Sequence, residues 1–373
     1  MSGTKQQPAI ATYLHQKGRR LGLPVAGNFE LTARCNFNCP MCYVHQTPQQ
    51  LEACGKRELT ADEWLKLAGE AKEQGMLFAL LTGGEPLIRK DFFDIYDGMK
   101  KMGIMLSINS NGSMLSGRIL ERFLQDPPFR FNISLYGGSN ETYTGMCGLP
   151  VYDQVRENIR ALREAGVQVS LNLSITPWNK DDLAQIYADA VALDVNVKAS
   201  SYMYPPIRLE EDTFGKGKRL SAEEAGACMV EWDTIRFTQE ELQLRAENMR
   251  RRMADCDAGC PMEADEGIRC RAGSTSFWVT WDGRMLPCGM MTEPEVYPLE
   301  TGFRDAWRIL REKTAMLRTP KECTACSMRE LCGVCAAVCV AETGRFDGVP
   351  KYLCQKTEHQ IRLLQSYCGK EEV

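Results

Sequence analysis

Cys35, Cys39 and Cys42 stand in the stretch ARCNFNCPMCYVH, residues 33–45, as C-x3-C-x2-C followed at once by Tyr43. Thiolates are soft metal ligands, and four of them close a structural zinc site or fully ligate a four-iron cluster. Three leave one metal position free for an outside ligand. The chain of 373 residues has seventeen cysteines but only three histidines, His15, His45 and His359. That balance argues against imidazole-rich zinc or copper sites and for iron–sulfur clusters, with thiolate zinc as the alternative. In a reducing compartment so many thiols point to metal or redox chemistry rather than to structural disulfides.

A second chemical stretch is LLTGGEPLIR, residues 80–89. Gly83 and Gly84 let backbone approach a partner closely. Glu85 offers a carboxylate to an ammonium group, and Pro86 stiffens the exit. Further along, SINSNGS (107–113) and NISLYGG (132–138) present Asn109, Asn111, Ser134 and Tyr136. These are hydrogen-bonding side chains at strand ends, although Asn and Ser beside glycine also build ordinary turns. The C-terminal third is dense in cysteine. Cys270, Gly283 and Cys288 read C-x12-G-x4-C, and Cys323, Cys326, Cys332 and Cys335 read C-x2-C-x5-C-x2-C, with Cys339 and Cys354 beyond.

These residues need elements to position them. Short apolar runs at 29–32, 77–81, 104–109, 130–135, 167–173 and 195–200 read as strands. Helical patterns lie between them. Thr60 and Glu63 form a capping box ahead of ADEWLKLAGEAKEQG, which Gly75 stops. A helix from about residue 91 ends at Gly103, and VYDQVRENIRALREAG ends at Gly166. Six strand–helix repeats imply a parallel sheet with right-handed crossovers, as a partial α/β barrel or an open sheet. In both, chemistry belongs to the loops after the C-terminal strand ends, which is where the three-cysteine stretch falls. The expected divisions are an N-terminal extension (1–27), the barrel (28–220), a helical linker (221–255) opened by Ser221 with Glu224, and a cysteine-rich domain (256–373) with little helical periodicity.

A formal charge of −4 leaves no electrostatic footprint for nucleic acid. The basic run RAENMRRRM (245–253) reads as a solvated helix face. No apolar run has the length of a membrane span and the first twenty residues lack a signal-peptide core, so the cytoplasm is the expected compartment.

The cysteine spacing closed by an aromatic residue, with GGEP after the second strand, resembles the radical S-adenosylmethionine (SAM) enzymes. The resemblance implies a partial (β/α)6 TIM-type barrel and a [4Fe-4S] cluster on Cys35, Cys39 and Cys42. Its open iron would chelate the amino and carboxylate groups of SAM. Gly83, Gly84, Glu85 and Pro86 would hold the amino group, with Tyr43, Asn109, Asn111, Ser134 and Tyr136 completing the cofactor cradle. An electron from the cluster would cleave the sulfonium, giving a 5′-deoxyadenosyl radical that abstracts hydrogen from substrate.

The C-terminal pattern resembles the SPASM domain, which carries one or two auxiliary [4Fe-4S] clusters. By that analogy Cys323, Cys326, Cys332 and Cys354 ligate the outer cluster, and Cys270, Cys288 and Cys335 the nearer one. Cys256 or Cys260 would complete the nearer set, and Cys339 is an alternative to Cys335. The commoner spacing is C-x5-C-x3-C, whereas Cys332 and Cys335 are separated by two residues. Cys147, in TYTGMCG, would return a hydrogen atom to a substrate radical, as in radical peptide epimerases, or simply pack. Tyr202, Tyr204 and Arg208 are candidate substrate contacts.

The expected activity is modification of a ribosomally made peptide by crosslink, thioether or epimerisation. The alternatives are oxidation of a small molecule or cofactor precursor, and sulfatase-maturase-like protein oxidation, which Gly289 directly after Cys288 disfavours. From another class comes a non-catalytic iron–sulfur electron carrier, and beyond it a zinc-binding scaffold. The expected partners are a reducing donor such as flavodoxin or ferredoxin and, because 34 residues precede Cys35, a separate leader-binding protein.

Overall fold

The computed structural model describes residues 9–208, 218–257, 267–324 and 326–368. Eight strands form among them: β1 Ala26–Glu30, β2 Phe78–Thr82, β3 Met105–Ser110, β4 Arg130–Ser134, β5 Val169–Ser174, β6 Asn196–Ser200, β7 Ser276–Val279 and β8 Met285–Leu286. The chain divides into two compact units, and the division runs through β4.

The first unit comprises Met1–Asn36, Val44–Asn132 and Ile268–Met316. Its strands run in the order β3-β2-β1-β7-β8. β1 lies parallel to β2, with Ala26 opposite Phe78, and parallel to β7, with Ala26 opposite Ser276. Only β8 is antiparallel. Phe29, Leu81 and Ile108 are fully buried, and Phe29 meets Trp64 and Phe277 edge-on at 5.8 and 5.9 Å. β1 begins three residues before the expected apolar run because Ala26 and Gly27 are small where the sheet is crowded. A side chain at Gly27 would fall 2.5 Å from the Phe277 ring.

The helix Ala61–Glu73 starts from the expected Thr60–Glu63 capping box and buries Trp64, Leu67, Ala68 and Ala71, the i, i+3, i+4, i+7 stripe of an amphipathic helix. Phe92–Lys101 buries Phe92, Ile95, Tyr96 and Met99 beside Phe123 and Phe131. The strand β7 and the amphipathic helix Phe303–Ala315, which buries Phe303, Ala306, Trp307 and Leu310, were not expected in the cysteine-rich stretch. Both belong to this first unit.

The second unit comprises Phe37–Tyr43, Ile133–Gly267 and Leu317–Val373. β5 and β6 pair in parallel, Ser170 opposite Asn196. Ser221 and Glu224 form the expected capping box of the helix Ala222–Arg236. Gly226 lets that helix approach Lys351–Gln365, because a Cβ there would lie 2.6 Å from the Lys356 carbonyl oxygen. The helical stretch expected over 221–255 breaks at Phe237. Thr238 and Glu241 then exchange capping hydrogen bonds (2.9 and 3.2 Å) to start Gln239–Asp257. Val230, Met249, Ile361 and Leu364 form the local core. No helix among the described residues is long and apolar enough to cross a membrane.

Candidate functional site

In the first unit, the backbone leaving β1 leads directly to Cys35. Arg89, almost fully buried, holds that exit by donating to the Leu31 and Leu59 carbonyls at 2.8 and 2.9 Å. The glycine pair grips the next residues. Gly84 N–H donates to Thr32 O at 2.7 Å, and Glu85 N–H donates to Arg34 O at 2.9 Å. A Cβ on Gly83 would lie 2.5 Å from Thr32 O, and one on Gly84 2.3 Å from Arg34 O. Gly83 also has φ +148°, in the region that favours glycine. Both glycines are therefore required by main chain meeting main chain.

Glu85, expected to offer its carboxylate to an ammonium group, has that carboxylate hydrogen-bonded within the protein. It is fully buried and accepts from the Ser110 hydroxyl (3.0 and 3.1 Å), Asn111 N–H (2.8 Å) and Leu87 N–H (3.2 Å). Burial raises its pKa from 4.5 to about 7, against the opposing pull of these donors. Its role in this geometry is to pin the loop after β3 to the GGEP turn, with Pro86 opening a short 3-10 helix.

Asn111 stands at the end of that pinned loop. Its amide Nδ2 donates to Asn36 Oδ1 at 2.9 Å and lies 3.8 Å from Cys35 Sγ. Its Oδ1 accepts from Ser113 N–H and Oγ at 3.0 and 2.7 Å, and Asn36 Nδ2 donates to Ser113 Oγ at 2.9 Å. Asn109 points elsewhere, accepting from Asn132 Nδ2 at 2.9 Å. Sequence reasoning missed Asn36, Arg89, Ser110 and Ser113. The one signal for the serines was their presence within SINSNGS.

In the second unit, Cys39 and Cys42 close a turn, with Cys42 N–H donating to Cys39 O at 3.1 Å. Asn38 N–H donates to Cys147 O at 3.2 Å, the last residue of the helix Asn140–Cys147. The Cys147 thiol is 1 % exposed and hydrogen-bonds the Cys39 thiol, and that contact, with burial, holds the Cys39 thiol far above its usual pKa. Cys147 therefore lies against Cys39 inside the fold. Tyr136 packs edge-on to Phe37 and Tyr143, at 6.4 and 6.3 Å. Burial and then the Cys39 charge push its hydroxyl well above the ordinary tyrosine value, against a hydrogen bond to Ser134.

Cys323, Cys326, Cys332 and Cys354 line one cavity together with Met328 and Leu353. Cys323 is pushed up to about 11 by burial and by its three thiol neighbours. Cys339 is buried and rises to about 12, whereas Cys335 is half-buried with Sγ 3.8 Å from Tyr204 Oη. Tyr202 donates to Glu342 at 2.7 Å, and Arg208 is buried. In the first unit, Cys270 and Cys288 line a second cavity. Cys260 lies outside the described residues.

Among the described residues, no three Cys, His, Asp or Glu side chains converge so as to hold a single metal ion. Four thiols that surround a space, none of them in a disulfide, fit a cluster in which each thiolate binds its own iron better than one tetrahedral zinc. Cys35, Cys39 and Cys42 are likewise half-buried and outside any disulfide. The donor sets fit iron–sulfur clusters.

Residues 29–190 match the Radical SAM superfamily, whose characteristic cofactors are a [4Fe-4S] cluster and SAM. The AdoMet-dependent heme synthase of Methanosarcina barkeri is 24% identical over 334 residues, covering 85% of this chain and 93% of that one. The PqqA peptide cyclase of Granulibacter bethesdensis is 30% identical over 165 residues, 44% of this chain and 43% of its own. The structure of SuiB from Streptococcus suis bound to S-adenosylmethionine superposes with a TM-score of 0.64 at 15% identity, covering 95% of this chain and 82% of SuiB. The fold is that of a partial radical SAM barrel.

Proposed function

We propose that Cys35, Cys39 and Cys42 ligate the SAM-binding cluster and that the enzyme oxidises carbon by hydrogen-atom abstraction. The cluster, when bound, supplies the electron that cleaves SAM. The chain's own residues do the rest. The GGEP turn and Arg89 fix the backbone that carries Cys35, and the Asn36–Asn111–Ser113 network holds the position next to its sulfur. The observation that carries this reading is the match over residues 29–190 with a three-thiol loop directly after β1. Anaerobically reconstituted, dithionite-reduced protein given SAM is expected to form 5′-deoxyadenosine, and a Cys35/Cys39/Cys42→Ala triple variant is not. Equal yields from both would sink the assignment. A fully iron-loaded protein that never cleaves SAM, with or without candidate substrates, would favour the electron-carrier reading.

For the substrate, we infer a small organic molecule. The support is extent: the heme synthase relative is matched along nearly its whole length, the peptide cyclase along less than half. The peptide reading retains the support of that cyclase and of the SuiB fold. Deoxyadenosine release stimulated by carboxylated tetrapyrroles, and not by glycine- or cysteine-rich peptides, is the expected result. The reverse pattern returns the assignment to peptides. Cys323, Cys326, Cys332 and Cys354 are proposed to hold an auxiliary cluster, with Cys270, Cys288 and Cys335 contributing to a second.

A further inference from the structure

The cavity that Cys270 and Cys288 line has a volume of about 910 Å3, in the upper range of ligand pockets (roughly 300–1,000 Å3). Two of its walls are basic. Arg19 and Arg20 come from the last turn of the helix Ala9–Leu21, and Arg269 and Arg271 flank Cys270. No Asp or Glu is among its described lining residues. Glu30, which accepts the indole N–H of the lining Trp278 at 2.8 Å, is fully buried and is not one of them.

Guanidinium groups are as a class cationic in proteins, and four of them gathered at one cavity draw anions to it. His15, also in the wall, shares a 2.8 Å hydrogen bond with Thr275 Oγ1 and stays neutral, so the positive charge is that of the arginines. Arg19 is held in place by donating to the Cys270 carbonyl at 3.0 Å. Guanidinium forks pair with carboxylates or phosphates in two-pronged fashion. The helix here presents its C-terminal end, so the backbone N–H groups that build many phosphate sites point away. Trp278 and Pro287 add an apolar wall suited to a carbon skeleton.

We propose that this cavity binds a multiply carboxylated small molecule, its carboxylates paired with Arg19, Arg20, Arg269 and Arg271, alongside the thiols of Cys270 and Cys288. The proposal rests on the small-molecule reading above only in taking that ligand to be the substrate.

The test is equilibrium binding of an octacarboxylate porphyrin to the anaerobic holoenzyme, followed by fluorescence, with pyrophosphate as competitor. We expect saturable binding that weakens with salt, resists pyrophosphate, and falls about tenfold or more in an Arg19→Gln/Arg20→Gln variant of unchanged iron content. An Arg19→Lys/Arg20→Lys variant should recover part of the loss. Undiminished binding by the glutamine variant overturns the proposal, as does displacement by pyrophosphate. Loss of iron in both double variants also overturns it, because the arginines would then balance cluster charge. Binding that passes these tests without any product from the porphyrin would count against the substrate reading alone.

Discussion

Glu85 accepts hydrogen bonds that join the GGEP turn to the end of β3, so its removal strands the Ser110 hydroxyl and the Asn111 and Leu87 N–H groups in a buried place. Its folded pKa of about 7 exceeds the unfolded value of 4.5 because burial disfavours the charge. The folded state therefore holds its proton more tightly. Stability from this group is fully present below pH 4.5 and declines as pH rises through about 7, by about 3 kcal/mol in all. A Glu85→Gln variant lacks this titration. The stability difference between the two proteins, from denaturant unfolding at pH 5 and pH 8, should shift by about that amount in favour of the variant at the higher pH. A constant difference would mean that Glu85 titrates normally. At this scale the sequence pointed to Asn111 and Glu85 but not to their working. Glu85 was read as a carboxylate for an ammonium group, and its bonds to Ser110 and Asn111, 25 and 26 residues on, have no local signature. Asn36 and Ser113, 77 residues apart, share a bond that no local pattern encodes.

The glycine pair and the helix caps act as elements. Gly83–Gly84 is the seat on which the strand leading to Cys35 rests. Gly84→Ala places a methyl group 2.3 Å from Arg34 O, where only backbone can yield. We expect a loss of about 2–4 kcal/mol in stability and a fall in iron retained after anaerobic reconstitution. Gly55→Ala, at a helix end with open space and φ +64°, is the control and should cost about 1 kcal/mol without loss of iron. Equal iron in both variants would remove the glycine pair from cluster assembly. The capping boxes at Thr60 and Ser221 were legible because each precedes a fresh amphipathic run. The one at Thr238 was hidden, since helix-forming residues continue on both sides of Phe237. β7 escaped because four residues are too few to show a period, and its neighbours are glycines, prolines and cysteines.

Over the whole molecule, the alternation of strand and helix and the cysteine spacings made the parallel architecture and the chemistry legible. The composition of the two units was not, because they are assembled from segments distant along the chain. Residues 268–316 complete the first unit, so removal of residues 256–373 should damage it. Such a truncation strips β7 from β1 and takes away the helix around Trp307. It exposes a strand edge and apolar surface, and we expect aggregation or rapid proteolysis of the 1–255 fragment. A soluble, protease-resistant fragment with cooperative unfolding would show that the barrel stands without its C-terminal third.

The pairing of β1 with β7 also sets an order of events in synthesis. Ala26 finds its partner Ser276 only after some 250 further residues have been made, roughly 10–50 s at ordinary elongation rates. Through that interval the strand leading to Cys35 has one unpaired edge, and the thiols beyond it hang from an unfinished sheet. Iron delivered to the nascent chain before then would meet a loop not yet fixed, so maturation of the three-cysteine site is expected to wait until β7 has emerged. Protease sensitivity at residues 26–35 in ribosome-bound chains halted before residue 276, lost in chains halted well after it, is the signature of that delay.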